Sequence, residues 1–219
     1  MTASVIAMSV QAGSGGFNIA HHVAEQLGLR YYDWEITSEA ANRAGVPAAE
    51  VLASERVPGF VERMMRRLGA VSTVSVEGGA SFADPSPAMW NTAVASLNSD
   101  DYRPFIERVV NELADQGHAL IVGHAGQYVL RKRPDVIKVL ILGSEDKRAK
   151  RLMKEQNLDE KQALINVRTS DKDRAELLKK VYKFDWLDAS KYDLTINTDN
   201  ISTEVAIDAI IAAAKNVNL

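Results

Sequence analysis

A cluster of glycines near the start of the sequence constrains the fold more than any other feature. The apolar run 5–8 precedes the segment 13–16, which reads Gly-Ser-Gly-Gly, and apolar residues then recur at helical spacing as far as Leu27. A second apolar run over 29–32 ends at Asp33. The order strand, glycine turn, helix, strand predicts a βαβ unit, in which a helix joins two parallel strands.

Three further strands are predicted downstream. The runs 119–122 and 136–142 are continuously apolar, which is typical of strands buried on both faces of a parallel sheet, and a shorter strand covers 194–196. Helical patterns separate these strands, and Asp101 is the predicted N-cap of the helix before the third strand. A last helix is predicted from about 202. Strands that alternate with helices predict an α/β fold with a helical layer on each face of the sheet.

The chain length of 219 residues suits one domain with a sizeable insertion, at about 150 residues per domain. We predict a single domain over 1–219, with the insertion over about 34–100. Its first part is helical, and from about 71 it becomes irregular and rich in Ser, Gly, Pro and Asn. So long an irregular stretch is typical of a functional or a mobile loop.

Composition excludes several classes of protein. With 46% hydrophobic and 25% charged residues the chain is globular, and no apolar run approaches the roughly 18 residues of a membrane helix. The absence of cysteine excludes disulfides and thiolate chemistry, and with no signal-peptide pattern it favours a cytoplasmic location. The net charge of −3 argues against nucleic acid as a partner.

The glycine segment suits phosphate binding, because backbone N–H groups converge there at the N-terminus of a helix. Two motifs compete for it. In the P-loop motif G-x-x-x-x-G-K-[ST], Gly16 stands at the lysine and Phe17 at the Ser/Thr position. In the dinucleotide fingerprint G-x-G-x-x-G, Asn18 stands at the third glycine, and Asp33 is placed to bind a ribose. A purely structural turn is the remaining alternative.

The order of the later elements favours the first motif. A dinucleotide fold normally reaches its third strand within a short helix's length, but here the next convincing strand begins only near 119. The order resembles that of a nucleoside monophosphate kinase: a strand before a glycine loop, a long insertion, further strands and then an arginine-bearing segment.

At this point the chain resembles the cytidylate-kinase-like proteins of the P-loop kinase group. The segments that carry the resemblance are 8–9, 13–16, 19–20, 27–28, 31–33, 121–123, 128–130, Arg148, 169–175, Trp186, 192–194 and 197–198. The resemblance implies a three-layer P-loop NTPase-type fold, with a five-stranded parallel sheet in the order 2-3-1-4-5. It also implies ATP with Mg²⁺ as the phosphoryl donor, and a nucleoside monophosphate or another small molecule as acceptor.

The resemblance assigns a donor-binding segment and an acceptor pair. The donor-binding residues are Gly13, Ser14, Gly15, Gly16, Phe17 and Asn18. Asp33 and His124 are expected to contact the acceptor, and the alternative for Asp33 is that it caps the following helix. The Mg²⁺ ligand is left open between Ser14, Asn18 and water alone. No protein-ligated metal site is predicted from the histidines, which lack carboxylates at ligand spacing.

Four positions depart from the family pattern. Val10, Phe17 and His124 stand where the family commonly has arginine. Ala125 stands where true cytidylate kinases have an aspartate beside the acceptor-binding arginine. The chain is therefore expected to use CMP poorly or not at all.

The predicted catalytic residues lie in a lid over about 148–183. Phosphoryl transfer needs positive charge over the transferring oxygens, and the planar fork of arginine matches phosphate. Arg148, Arg168 and Arg174 are the candidates, with Asp171 holding the lid arginines in place. The spacing of three residues puts 168, 171 and 174 on one helical face. The alternative is a solvated basic helix that pairs with its own acids.

Three functions follow, in order of preference. The first is an ATP-dependent phosphotransferase of the cytidylate-kinase-like type. The second is a catalytically weakened relative that binds nucleotide and acts as a regulatory module. The third is a dinucleotide-dependent oxidoreductase.

Overall fold

The computed structural model describes residues 4–45 and 99–216, which form five strands and seven α-helices in these ranges. In chain order they are β1 Val5–Val10, α1 Gly16–Leu27, β2 Arg30–Tyr32, α2 Trp34–Ala44, α3 Ser99–Gln116, β3 Ala119–Val122, α4 Gly126–Val129, β4 Val136–Leu142, α5 Glu145–Gln156, α6 Glu160–Tyr182, β5 Leu194–Asn197 and α7 Thr203–Lys215. A short 3₁₀ turn, Ala189–Lys191, precedes β5.

The five strands form one parallel sheet in the order β2-β3-β1-β4-β5, which confirms the predicted topology. Strand β1 is central, with Val5 in register with Ala119 on one side and with Val136 on the other. All six β1 residues are buried, as expected of a strand between two neighbours and two helical layers. A dinucleotide fold has its second strand next to its first, whereas β3 lies between them here, so the sheet does not have the strand order on which the oxidoreductase alternative depended.

Alternate residues of β1 face two different cores. Ile6 and Met8 pack in the layer formed by α1 and α7, where Ile19 and Ile207 are among their neighbours. The other layer is formed by α2 and α3, and Val5 belongs to it. Successive strand residues point to opposite faces, so this division follows directly from the period of two. The two helical layers confirm the three-layer α/β fold.

The predicted element boundaries need one correction. Helix α3 begins at Ser99, two residues before Asp101, so Asp101 is not its N-cap. The C-terminal end of α3 agrees with the prediction, because Gly117 follows Gln116 with a left-handed backbone, φ 68°. Of the predicted insertion, α2 is described, and residues 46–98 lie outside the described ranges. Within those ranges no helix is long and apolar enough to cross a membrane.

Candidate functional site

The loop between β1 and α1 needs glycine at two positions for steric reasons. A Cβ added to Gly13 would lie 2.4 Å from the carbonyl oxygen of Arg148, and one added to Gly16 would lie 2.5 Å from Cγ1 of Val10. Gly15 differs, because an added Cβ would meet no atom of the described residues within 4 Å. Its backbone is left-handed, with φ 78°. The side of the loop at Gly15 is therefore open.

Side chains from the C-terminal half of the chain hold the carbonyl groups of this loop. The donor–acceptor pairs are Arg174 Nη1 to Val10 O (2.7 Å), Arg148 Nη1 to Ala12 O (3.2 Å), Arg151 Nη1 to Gly13 O (3.4 Å) and Thr198 Oγ1 to Ser14 O (2.9 Å). The N–H and C=O groups of a peptide point in opposite directions. The N–H groups opposite the Val10 and Gly13 carbonyls, those of Gln11 and Ser14, donate to Ile141 O and Gln11 O, whereas α1 presents first-turn N–H groups at its N-cap, Gly15.

Arg148 is the most buried of these arginines, at 3% exposed. Its guanidinium donates to Gly143 O at 2.9 Å and to both oxygens of Asp171, at 3.2 and 2.6 Å. Asp171 also accepts from Gln11 Nε2 at 3.2 Å. Asp171 thus holds Arg148, and the pair links α6 to the glycine loop. The guanidinium of Arg148 is bound to Asp171 and to the backbone at Ala12 and Gly143, whereas the sequence suggested a direct phosphate contact.

The other two predicted arginines have different surroundings. Arg168 is exposed and donates to Glu145 Oε1 through Nε at 2.8 Å and Nη2 at 2.6 Å, and this contact lowers the pKa of Glu145. Arg174 is partly buried, lies 4.9 Å from the centroid of the Trp186 ring and lines the cavity beside the loop. Residues 168, 171 and 174 share one spacing on α6 but have three different environments. Of these three residues only Arg174 lines the cavity.

The cavity lies where β1, β2 and β3 end, the edge at which open parallel sheets bind ligands. Its lining residues are Ser9, Phe17, Asp33, Val122, Gly123, His124, Ala125, Gln127, Arg174, Leu177 and Leu178. The predicted acceptor residues meet here, with Nε2 of His124 3.8 Å from Oδ1 of Asp33. Tyr31 donates its hydroxyl to the other Asp33 oxygen at 3.4 Å. Asp33 occupies the N-cap position of α2, but its side chain makes no capping hydrogen bond to that helix.

The backbone that carries His124 is strained. Gly123, His124 and Ala125 are successively left-handed, with φ values of 82°, 51° and 53°. For residues other than glycine this conformation costs about 1–2 kcal/mol each. Such strain persists where the surrounding structure imposes it, and it clusters at ligand sites.

A buried polar cluster forms part of the cavity wall. Tyr192 donates its hydroxyl to the carbonyl of Trp186 at 2.6 Å, and the side chains of Ser9 and Gln127 lie near the same hydroxyl. Burial raises the pKa of Tyr192 to about 12, so the phenol keeps its proton at neutral pH. Oε1 of Gln127 is buried and has no hydrogen-bond partner among the described residues.

The sequence analysis missed several of these groups. Arg151 lies three residues after Arg148 on the same helix, and this spacing was an available signal for a second contact to the loop. Thr198 appeared in the matching segments without an assigned role. Gln127 and Tyr192 lie 65 positions apart, and no local pattern connects them. Among the described residues there is no group of three or more His, Asp or Glu side chains that could hold a metal ion.

Comparison with known proteins places the chain in a family. Residues 5–200 match the cytidylate kinase-like family, and the chain belongs to it. Cytidylate kinase of Sulfolobus acidocaldarius is 26% identical over 152 residues, which cover 66% of this chain and 81% of that protein. Cytidylate kinase of Methanocaldococcus jannaschii is 28% identical over 115 residues, which cover 51% of this chain and 64% of that protein.

A solved structure also matches almost the whole chain. The crystal structure of an uncharacterized protein from Eubacterium ventriosum aligns with a TM-score of 0.65 at 21% identity, covering 96% of this chain and 97% of that one. This likeness supports the fold. The family membership supports a kinase, with ATP as the phosphate donor that such a family implies.

Proposed function

We propose that this chain is an ATP-dependent phosphotransferase that moves the γ-phosphoryl group of ATP to a small acceptor bound beside Asp33, and that CMP is a poor acceptor. The observation that carries the proposal is the glycine loop, whose carbonyls all accept hydrogen bonds from the protein and which ends at the N-terminus of α1. The first-turn N–H groups of α1 suit the β-phosphate of ATP. The proposed phosphate-binding residues are those named from the sequence, and Gly15 is the loop glycine at which an added Cβ would meet no described atom within 4 Å.

Transfer itself requires alignment and positive charge. The acceptor oxygen attacks the γ-phosphorus while the bond from that phosphorus to the β–γ bridging oxygen breaks, and ADP leaves. Arg174 is the arginine best placed for the transferring group, because it touches both the loop at Val10 and the acceptor cavity. Arg148 and Asp171 act as positioning residues through the loop backbone, and Arg168 contributes charge from the exposed end of the lid.

Mg²⁺ is a proposed cofactor of this reaction. This ion commonly binds through substrate phosphates, waters and one or two protein oxygens, which requires no preformed cage of acidic residues. The oxygens of Ser14 and Asn18 are the candidates on the loop. When bound, the ion neutralises charge on the donor phosphates.

Ala125 provides the argument against CMP, because its methyl group supplies no acid at a cavity position where cytidylate kinases are expected to have one. His124, paired with Asp33, replaces the expected arginine. The rival proposal is a nucleotide-binding module with little turnover. It is supported by the engagement of Arg148 with the loop backbone and by Val10 and Phe17 at expected arginine positions.

Phosphoryl transfer from γ-labelled ATP to CMP, dCMP, UMP and AMP tests the proposal. We expect ATP-dependent labelling of at least one small acceptor, with CMP among the poorest. ATP binding without labelling of any acceptor would favour the nucleotide-binding module. An absence of ATP binding in calorimetry would overturn the proposed function.

A further inference from the structure

We propose that Gln127 determines acceptor specificity, and that its amide oxygen accepts a hydrogen bond from an N–H or O–H group of the acceptor. This inference rests on the proposed function, since it assigns a substrate class to the acceptor cavity. It starts from a buried polar atom without a partner. Such an atom lacks the hydrogen bond that water would give it in the unfolded chain, and a native structure usually supplies a replacement.

The hydroxyl of Tyr192 constrains the orientation of the Gln127 amide. A tyrosine hydroxyl has one proton, and Tyr192 gives it to the Trp186 carbonyl. Toward Gln127 the hydroxyl can then only accept a hydrogen bond, so it matches the N–H₂ end of the amide and not the oxygen. The amide oxygen is then the end of Gln127 without a partner among the described residues.

The position of Gln127 makes this oxygen suitable for recognition. The residue is 3% exposed, lies in the first turn of α4 and lines the same cavity as Asp33 and Arg174. Part of the cavity wall is apolar, with Phe17, Val122, Leu177 and Leu178 among its residues. Water competes poorly for a hydrogen bond in such surroundings, so a matching donor is favoured and an analogue without one is rejected.

The surrounding charges define the kind of ligand. Asp33 is a second hydrogen-bond acceptor in the cavity, while Arg174 supplies a cation. The set suits a molecule with an anionic group toward the arginine and a neutral donor group at the Gln127 wall. An amino or imino group of a nucleobase and a hydroxyl group of a sugar both have this chemistry.

The experiment compares acceptors that differ only in one donor group. Transfer from ATP is measured with CMP, AMP and UMP, with their N4,N4-dimethyl, N6,N6-dimethyl and 3-methyl analogues, and with the 2′-deoxy forms. We expect the wild type to prefer the parent over one analogue class by about 10-fold or more in kcat/KM. In Gln127→Met that preference should fall close to unity, while the KM for ATP stays unchanged. If Gln127→Met removes the preference against the methylated bases, the bound group is a base N–H; if it removes the preference against the 2′-deoxy forms, the bound group is a sugar hydroxyl.

The matched control is Gln26→Met, which makes the same exchange at an exposed position on α1 and should leave the preference intact. Thermal melting shows whether each variant is folded. The proposal is overturned if Gln127→Met keeps the wild-type preference, or if wild-type protein that phosphorylates these acceptors never distinguishes parent from analogue.

A crystal structure of the ligand-free protein gives a second test, which does not depend on finding an acceptor. If ATP fails to bind, or no acceptor is labelled, the proposed function is wrong. The crystal structure then still tests whether the Gln127 oxygen is available to a ligand. An Oε1 atom bonded to a protein group, or to a water sealed inside the protein, would overturn the inference. An Oε1 atom that faces exchangeable water in the cavity would support it.

Discussion

All five backbone carbonyls from Val10 to Ser14 accept a hydrogen bond, whereas the cavity beside them keeps a buried amide oxygen without a partner among the described residues. The first region is built from backbone held by arginines and a threonine. The second is built from side chains on strained turns. Satisfied hydrogen bonds favour one fixed geometry, which suits a phosphate group common to many ligands. An unsatisfied group suits the recognition of one particular ligand.

Substitution at Gly15 should give the largest effect, which is on ATP binding. Gly15→Val places a branched side chain at φ 78° on the open side of the loop, where the phosphate is proposed to bind. We expect ATP binding, measured by calorimetry, to be lost while the protein stays folded.

Gly28→Val is its matched control, because Gly28 also has a left-handed backbone, φ 65°, and no described atom within 4 Å of an added Cβ. Both variants should lose similar stability, about 1–2 kcal/mol from the backbone strain. Normal ATP affinity in Gly15→Val would refute the loop assignment.

Arg174 connects the two regions, so its removal should affect turnover next most strongly. Loss of an arginine that stabilises charge on the transferring group commonly costs about 10³ in rate. The contacts with Val10 O and Trp186 indicate that Arg174→Ala also loses about 1–2 kcal/mol of stability.

Arg131→Ala is a suitable control for this variant, because Arg131 also donates to a carbonyl, that of Tyr128, and stacks on an aromatic ring. Denaturant unfolding and ATP turnover separate the two effects. Equal turnover in the Arg174 and Arg131 variants would leave Arg174 with a structural role only.

Asp171 tests whether the lid helix positions the glycine loop. Asp171→Asn leaves the buried Arg148 beside a neutral partner. We expect a loss of about 2 kcal/mol, below the usual cost for fully buried pairs because 25% of the Asp171 side chain is exposed. The KM for ATP should rise as Ala12 loses a firmly held donor. Glu176→Gln on the same helix, whose carboxylate meets only the exposed Lys172 at 3.8 Å among the described ion pairs, is the control and should change neither quantity. An unchanged KM for ATP in Asp171→Asn would contradict the claim that α6 positions the glycine loop.

The smallest expected effect is at Asp199, which follows Thr198, one of the residues that hold the glycine loop. The backbone N–H of Ser144 donates to Asp199 at 2.8 Å and is the main cause of a lowered pKa at Asp199. A carboxyl group whose pKa is lower in the folded state stabilises that state at neutral pH and loses this contribution as the pH falls through the folded pKa. Asp199→Asn should therefore lower Tm at about pH 7, and the difference from wild type should shrink toward about pH 3. Asp208→Asn is an exposed control, and a constant difference across this range would contradict the assignment.

Local pattern explains which parts of this molecule the sequence predicts. The segment from β1 through α1 to Asp33 follows from apolar period and glycine placement, and its strands and helix were located within one or two residues. Local sequence pattern could not predict that Arg148 is buried and Arg168 is exposed. Both are arginines on charged helices, and only tertiary packing buries one against Ala12 and leaves the other with Glu145. Gln127 had no sequence signal, because its importance depends on a tyrosine brought near by the fold.

Phosphoryl transfer from γ-labelled ATP, followed across the acceptor series with wild-type protein, tests the central claim most directly. The account predicts ATP-dependent labelling of a small acceptor, slow or absent labelling of CMP, and sensitivity to loss of one donor group on the acceptor. Rapid phosphorylation of CMP together with indifference to the methylated and deoxy analogues would contradict it.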